Sequence, residues 1–94
     1  MNTMTQKSSY TFTTILHKLE SWVVAPLPDD FEIEAVHPFG RTPVIATLGN
    51  KTWKTSLWTD KEGATMLPLP KKIRGKLREG DEVTLSFVYD EERF

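Results

Sequence analysis

The residues best suited to chemistry are cations crowded into one short segment. Positions 70–78 carry five basic residues and no acidic one: Lys71, Lys72, Arg74, Lys76 and Arg78. Lysine and arginine side chains at this density hold phosphates or carboxylates. A solvated helix face has the same composition, and it is the commoner reason for such a run. The segment therefore indicates either an anion site or a charged surface without a ligand.

Two tryptophans stand beside lysines in a second candidate segment. Trp53 and Trp58, near Lys51 and Lys54, have the ring type and the charge to stack a nucleobase or another planar ligand. Packing in the core is the alternative for at least one of the two rings. Arg41, two residues before a proline, is predicted either to clamp a ligand or to pair with a buried carboxylate, and the sequence leaves both open.

The chain lacks the residue sets that catalysis or metal binding requires. His17 and His37 are the only histidines, cysteine is absent, and neither histidine has a partner at metal-ligand spacing. No nucleophile elbow surrounds a serine, and the glycines form neither a phosphate loop nor a dinucleotide fingerprint. Asp29 and Asp30 are adjacent, so their carboxylates diverge on any regular element. We expect no enzymatic activity, no metal and no cofactor.

Composition narrows the class of protein. Ninety-four residues fit one domain, and 38% apolar residues with ten aromatics suit a small globular core. Twelve basic and thirteen acidic residues leave a net charge of -1. The overall charge therefore gives no reason to expect a protein that binds nucleic acid or a membrane surface. No apolar run approaches the roughly 18 residues of a membrane helix, and residues 1–9 lack the apolar core of a signal peptide. We expect a cytoplasmic protein without a membrane partner.

Alternation and turn residues predict a chain made mainly of strands, with two short helical stretches at about 29–36 and 70–77. Gly49-Asn50 between two apolar runs favours a two-residue type II′ hairpin. The organisation expected is a flexible segment over 1–9, one β-barrel domain over 10–90 and a charged tail over 91–94. The predicted strands cover residues 10–19, 21–25, 43–48, 51–57, 64–67 and 82–89.

A tripeptide repeat suggests that the barrel has two halves. Pro26-Leu27-Pro28 recurs as Pro68-Leu69-Pro70, an offset of 42, and the same offset lays residues 13–16 over residues 55–58. Each half alone would expose an apolar face, which only the other half can bury. We therefore predict a monomeric barrel with a pseudo-two-fold axis.

Several short motifs, in their order along the chain, resemble a small bacterial domain family of unknown function that occurs alone or before a YdeI/OmpD-associated domain. The resemblance covers about residues 12–90. It implies an all-β fold with two short helices, a double-split β-barrel like that of AbrB-, MazE- and MraZ-type transcription factors. It rests on Trp22 before Leu27-Pro28, on Gly40-Arg41-Thr42-Pro43-Val44, on Thr55-Ser56-Leu57, and on Arg74 before Gly80-Asp81-Glu82-Val83.

The two predicted halves differ in charge, and this difference bears on the choice between two functions. Residues 70–83 are similar to the swapped hairpin of AbrB-type factors, which implies DNA contacts by basic residues near Arg74. The matching first loop carries Asp29, Asp30, Glu32 and Glu34, and these carboxylates would repel a phosphate backbone. We therefore expect a non-catalytic binding or accessory module for a protein or a small anionic ligand. DNA binding through the basic segment is the alternative.

Overall fold

The structure is a computed structural model that describes residues 9–31 and 40–93. Within these residues the chain forms seven strands, one short helix and a final 3₁₀ turn over Glu91–Arg93. The other elements are β1 (Tyr10–Ile15), β2 (His17–Leu19), β3 (Trp22–Pro26), β4 (Arg41–Leu48), β5 (Lys51–Thr59), β6 (Thr65–Leu69), α1 (Lys71–Arg74) and β7 (Glu82–Tyr89).

All the strands belong to one antiparallel sheet. Their order across the sheet is β1-β7-β4-β5-β6-β3-β2. The first and last strands in this order are neighbours in the chain, because only Leu16 separates β1 from β2. The sheet must therefore curl back toward its own beginning. The prediction of a nearly all-β fold is confirmed.

The strand predicted over residues 10–19 is broken at Leu16. Before this residue Ile15 pairs with Glu82 of β7, and after it His17 pairs with Val24 of β3. The Leu16 backbone makes its own contacts, since its N–H donates to Asp81 and its carbonyl accepts from Gly80. A change of partner strand thus divides the predicted element, and the sheet has seven strands instead of six.

The hairpin prediction is confirmed. Leu48 pairs with Lys51, so Gly49 and Asn50 form a two-residue turn. Gly49 has a φ of 62°, whereas Asn50 is not among the residues with positive φ. A positive φ at the first central residue alone is the pattern of a type II′ turn.

The predicted helical stretch at 70–77 is shorter in the structure. The helix α1 ends at Arg74 because Gly75 adopts a φ of 60°, and its N–H closes the turn on the Lys71 carbonyl. Most of the stretch predicted at 29–36 lies outside the described residues. In the predicted tail, residues 91–93 form the 3₁₀ turn.

The core lies inside the curled sheet. An aromatic group joins β1, β7 and the segment after β3: Tyr10 lies 4.9 Å from Phe31 and 5.6 Å from Phe87, between ring centroids. Burial of these rings and of aliphatic side chains supplies the main driving force for folding. The aliphatic side chains that are at most 1% exposed are Leu16, Ala25, Val44, Ala46, Leu57, Leu67, Leu69 and Leu85.

Candidate functional site

Cations from three parts of the chain converge on one groove. Lys71 and Arg74 project from α1, Arg78 follows α1, and Lys18 lies on β2. Two adjoining spaces of about 400 and 390 Å³ share Ser21, Val23 and Arg74 and so form a single depression. We call it the basic groove and define it by Lys18, Trp22, Val23, Lys71, Arg74 and Arg78.

The β3–β6 ladder supplies the apolar base of the basic groove. Val23 pairs with Leu69, and both side chains are buried. Pro70 then turns the chain into α1, with the φ of -63° that its ring imposes. A low-dielectric base beside these cations strengthens their attraction for an anion compared with a cation on an open surface.

The cations of the basic groove are not neutralised by ion pairs with the described part of the chain. Between residues 9–31 and 40–93, the one ion pair within 4.0 Å joins Arg93 and Asp90. The Asp81 carboxylate accepts from the Arg78 backbone N–H at 3.0 Å rather than from its guanidinium. Of the residues that the structure describes, Glu79 is the single acidic one on the groove wall. The groove therefore keeps a net positive charge.

The basic segment does not act as one surface. Lys71, Arg74 and Arg78 line the basic groove, whereas Lys72 and Lys76 are exposed and lie outside its lining. Three of the five predicted cations thus line the groove, and the other two do not.

Lys51, from the start of β5, holds the far end of α1. Its Nζ donates to the Ile73 carbonyl at 3.0 Å, one of the carbonyls that a helix end leaves without a helical partner. The hairpin tip and the helix are therefore joined by a side chain more than twenty residues away in sequence.

Trp22 and Trp58 form an aromatic group with Arg41. The two rings lie 5.3 Å apart at 79°, and the Arg41 guanidinium lies 5.0 Å from the Trp58 centroid. Trp22 is 43% exposed and forms a wall of the basic groove. The sequence predicted neither Trp22 nor Lys18 as part of the site. No sequence feature distinguishes Trp22 from a core tryptophan, and Lys18 is the only lysine or arginine on its strand.

Trp53 has a different position from Trp58. It is half-buried and packs against the core, as one of the two tryptophans was expected to do. Its indole N–H is buried and has no acceptor among the described residues. Trp53 does not line the basic groove.

A second groove lies at the other end of the β3–β6 ladder. Its volume is about 370 Å³, and its lining includes Asp29, Glu62 and Ala64. The backbone continues the ladder there, because the Leu27 N–H donates to the Thr65 carbonyl at 2.9 Å. We call this depression the acidic groove, because its charged residues are carboxylates.

Among the described residues, no group of three or more histidine, aspartate or glutamate side chains is arranged to hold a metal ion. His37 lies outside these residues. No helix in the described part of the chain has the length and hydropathy needed to cross a membrane.

Comparison with known proteins identifies the family. No curated protein and no solved structure matches the chain. A family model described as a domain of unknown function, DUF1905, matches residues 12–87. This range contains five of the seven strands in full, most of the other two, and every residue of the basic groove. Because the match covers most of its length, the chain belongs to the DUF1905 family.

Proposed function

We propose that the protein is a non-catalytic binding module whose basic groove takes an anionic ligand. One observation carries the proposal: Lys18, Lys71 and Arg74 converge on an apolar base without an ion-pairing carboxylate in the described part of the chain. Arg74 is half-buried and both lysines are exposed, so all three cations are available to a phosphate or carboxylate of a ligand.

We also infer that the sheet is a double-split barrel made of two related halves, as in the AbrB-type proteins it resembles. Strand register supports this. The β1–β7 ladder runs from Tyr10 paired with Phe87 to Ile15 paired with Glu82. In the proposed duplication, β1 corresponds to β5 at an offset of +41 and β7 corresponds to β4 at an offset of -39. The pair Tyr10–Phe87 then corresponds to the pair Lys51–Leu48, and the other five pairs of the ladder correspond in the same way. A single duplicated unit accounts for both ladders.

Burial supports an offset of 41 between the first strands of the two proposed halves. At an offset of 42, the exposed Ile15 would correspond to the buried Leu57, which places them on opposite faces of the sheet. At 41, Leu16 corresponds to Leu57, and both are fully buried. The offset of 42 applies from Trp22 onward. The Asp60 N–H donates to the Ala64 carbonyl, which leaves residues 61–63 in the turn after β5, one more than residues 20–21 in the turn after β2.

The duplication makes the basic and acidic grooves equivalent. At the offset of 42, Lys71 corresponds to Asp29 and Trp22 corresponds to Ala64. Each of these residues lines its own groove. Corresponding positions thus hold a cation and a large ring in one groove, and a carboxylate and a methyl group in the other. We propose that the basic groove was specialised for binding and that the two halves close the barrel within one chain, giving a monomer.

Titration calorimetry with inorganic pyrophosphate tests the anion site. The variant Lys71→Asp installs the residue of the acidic groove and should weaken binding at least about tenfold, the effect of losing one charge-assisted contact. Lys61→Asp makes the same change of charge on an exposed turn outside the groove and should have little effect. Equal losses in both variants, or no binding of pyrophosphate to the natural chain, would contradict the proposal.

DNA binding is the second candidate, favoured by the five cations of the basic segment. An extended phosphate backbone would use Lys72 and Lys76 as well as the groove residues, but the acidic groove would repel it. Lys72→Glu should then weaken duplex binding for all sequences alike, with a log-log salt slope near -0.9 for each phosphate neutralised. If Lys72→Glu leaves pyrophosphate binding intact and duplex binding is absent at low salt, the groove is the site.

The absence of catalysis is part of the proposal. The groove residues that we define include no histidine and no nucleophile with a neighbouring base, which are the usual parts of a hydrolytic site. Incubation of the purified chain with phosphate esters should give no turnover. Turnover that is lost in an Arg74→Ala variant would show that the groove is an active site instead.

A further inference from the structure

Among the described residues, Trp22 is the one large aromatic side chain that lines the basic groove. The residue is 43% exposed, although burial of an indole is strongly favourable. The ring is nevertheless held in place, because it packs at 79° against Trp58, which lies beside the Arg41 guanidinium. A perpendicular contact covers at most one face of an indole, so Trp22 keeps a face for another ring. Its orientation is fixed before any ligand arrives, which lowers the entropy cost of binding.

The exposed side chain of Trp22 lines the same depression as two cations of the basic groove. Trp22, Lys71 and Arg74 all line the same depression of about 400 Å³, a size within the range of small-ligand sites. A stacking surface beside unpaired cations is the combination that binds a base and its phosphate. We propose, resting on the anion site above, that the basic groove binds a nucleotide or an equivalent planar ring bearing phosphate. The ring stacks on Trp22, and the phosphate contacts Lys71 and Arg74.

The acidic groove provides an internal comparison. Its corresponding positions hold Ala64 and Asp29, in place of the ring and the cation of the basic groove. Phe31 also lines the acidic groove, but its ring packs against Tyr10 and Phe87, and the charged residues beside it are carboxylates. An exposed ring beside cations is thus a feature of the basic groove and not of the acidic one.

Calorimetry on the purified chain with adenosine monophosphate and ribose phosphate tests the inference. Stacking of one base should make adenosine monophosphate bind about 5- to 150-fold more tightly than ribose phosphate. Trp22→Ala, the residue of the acidic groove, should bring this ratio close to one while leaving ribose phosphate binding unchanged. Leu19→Ala is the matched control, because Leu19 is 44% exposed and pairs with Trp22 across the strands. This control should keep the ratio.

The outcomes separate this inference from the proposed function. Equal affinities for the two phosphates in the natural chain would overturn nucleotide binding but leave the anion site standing. No binding of either phosphate or of pyrophosphate would overturn both. A polyglutamate peptide that binds more tightly than adenosine monophosphate, and loses affinity in Leu19→Ala, would overturn the inference in favour of an acidic peptide.

A final titration identifies the source of the nucleotide. A short single-stranded oligoadenylate should bind more tightly than adenosine monophosphate, with a steeper salt dependence, if the groove belongs to a strand-binding surface. Equal affinities identify a free nucleotide as the ligand. Both results support a site for a base and its phosphate.

Discussion

Arg93 and Asp90 form an ion pair at 2.5 Å that fastens the end of the described chain to the sheet. The same guanidinium donates from Nη2 to the carbonyls of Val44 and Thr55, on the neighbouring strands β4 and β5. Asp90 is 2% exposed and its N–H donates to the Pro43 carbonyl. Residues 90–93 are therefore anchored to the folded sheet, although their composition predicts a charged tail.

This ion pair predicts a pH dependence of stability. The hydrogen bond from Arg93 holds the pKa of Asp90 below its ordinary value of 3.8, against the opposing effect of burial. A lowered pKa in the folded state stabilises the fold above the unfolded pKa, and this contribution disappears as the pH falls through the folded pKa.

Asp90→Asn should therefore lower the free energy of unfolding at pH 7. The difference from the natural chain should shrink when the pH is taken below 3.8. Urea unfolding at both pH values measures this difference. Glu91→Gln is the control, because Glu91 is exposed and has no ion pair within the described residues. A constant difference for Asp90→Asn across this pH range would show that the ion pair does not titrate.

Gly40 should be far less tolerant of a side chain than Gly63. A Cβ at Gly40 would lie 2.3 Å from the Thr59 carbonyl oxygen, and the φ of 66° is unfavourable for other residues. Gly63 has a φ of 90° but open space around it, so Gly63→Ala isolates the conformational cost, about 1–2 kcal/mol. Gly40→Ala should exceed this value in thermal or urea unfolding. Equal losses would mean that the neighbouring strand moves aside without cost.

Ile15 and Leu57 test the alignment of the two halves. Leu57 is fully buried, so Leu57→Ala should cost about 2–5 kcal/mol in the free energy of unfolding. Ile15 is 43% exposed, and Ile15→Ala should cost less than about 1 kcal/mol. Similar losses from the two substitutions would favour the offset of 42, in which these residues correspond.

Lys51 should order the helix α1 through its bond to Ile73. Lys51→Met keeps the apolar stem but removes the donor, and a hydrogen bond of this kind contributes about 0.5–1.5 kcal/mol. Amide exchange of residues 73–77 should accelerate, while exchange in β7 stays unchanged. Lys54→Met is a control on the same strand, where Lys54 is also exposed. Faster exchange in both variants would point to a general loss of stability.

Local chemistry determined much of the fold before any contact between distant segments was known. Gly49 allows the positive φ that a tight hairpin needs, so the β4–β5 pairing follows from neighbouring residues. Val83, Leu85 and Phe87 alternate with polar residues, and β7 has the predicted bounds of Glu82–Tyr89. The cluster of cations was also visible, because it depends on residue type alone.

The tertiary structure decided which of these residues meet. Leu16 ends a strand because its two sides pair with different partners, β7 and β3, which no local propensity specifies. Lys18 joins Arg74 and Arg78 although more than fifty residues separate them in sequence, so no spacing rule could place it in the groove. Alternation assigns residues to two faces of a strand, but only packing chooses the buried face. For the same reason, residue type alone did not distinguish the exposed Trp22 from Trp53, which packs against the core.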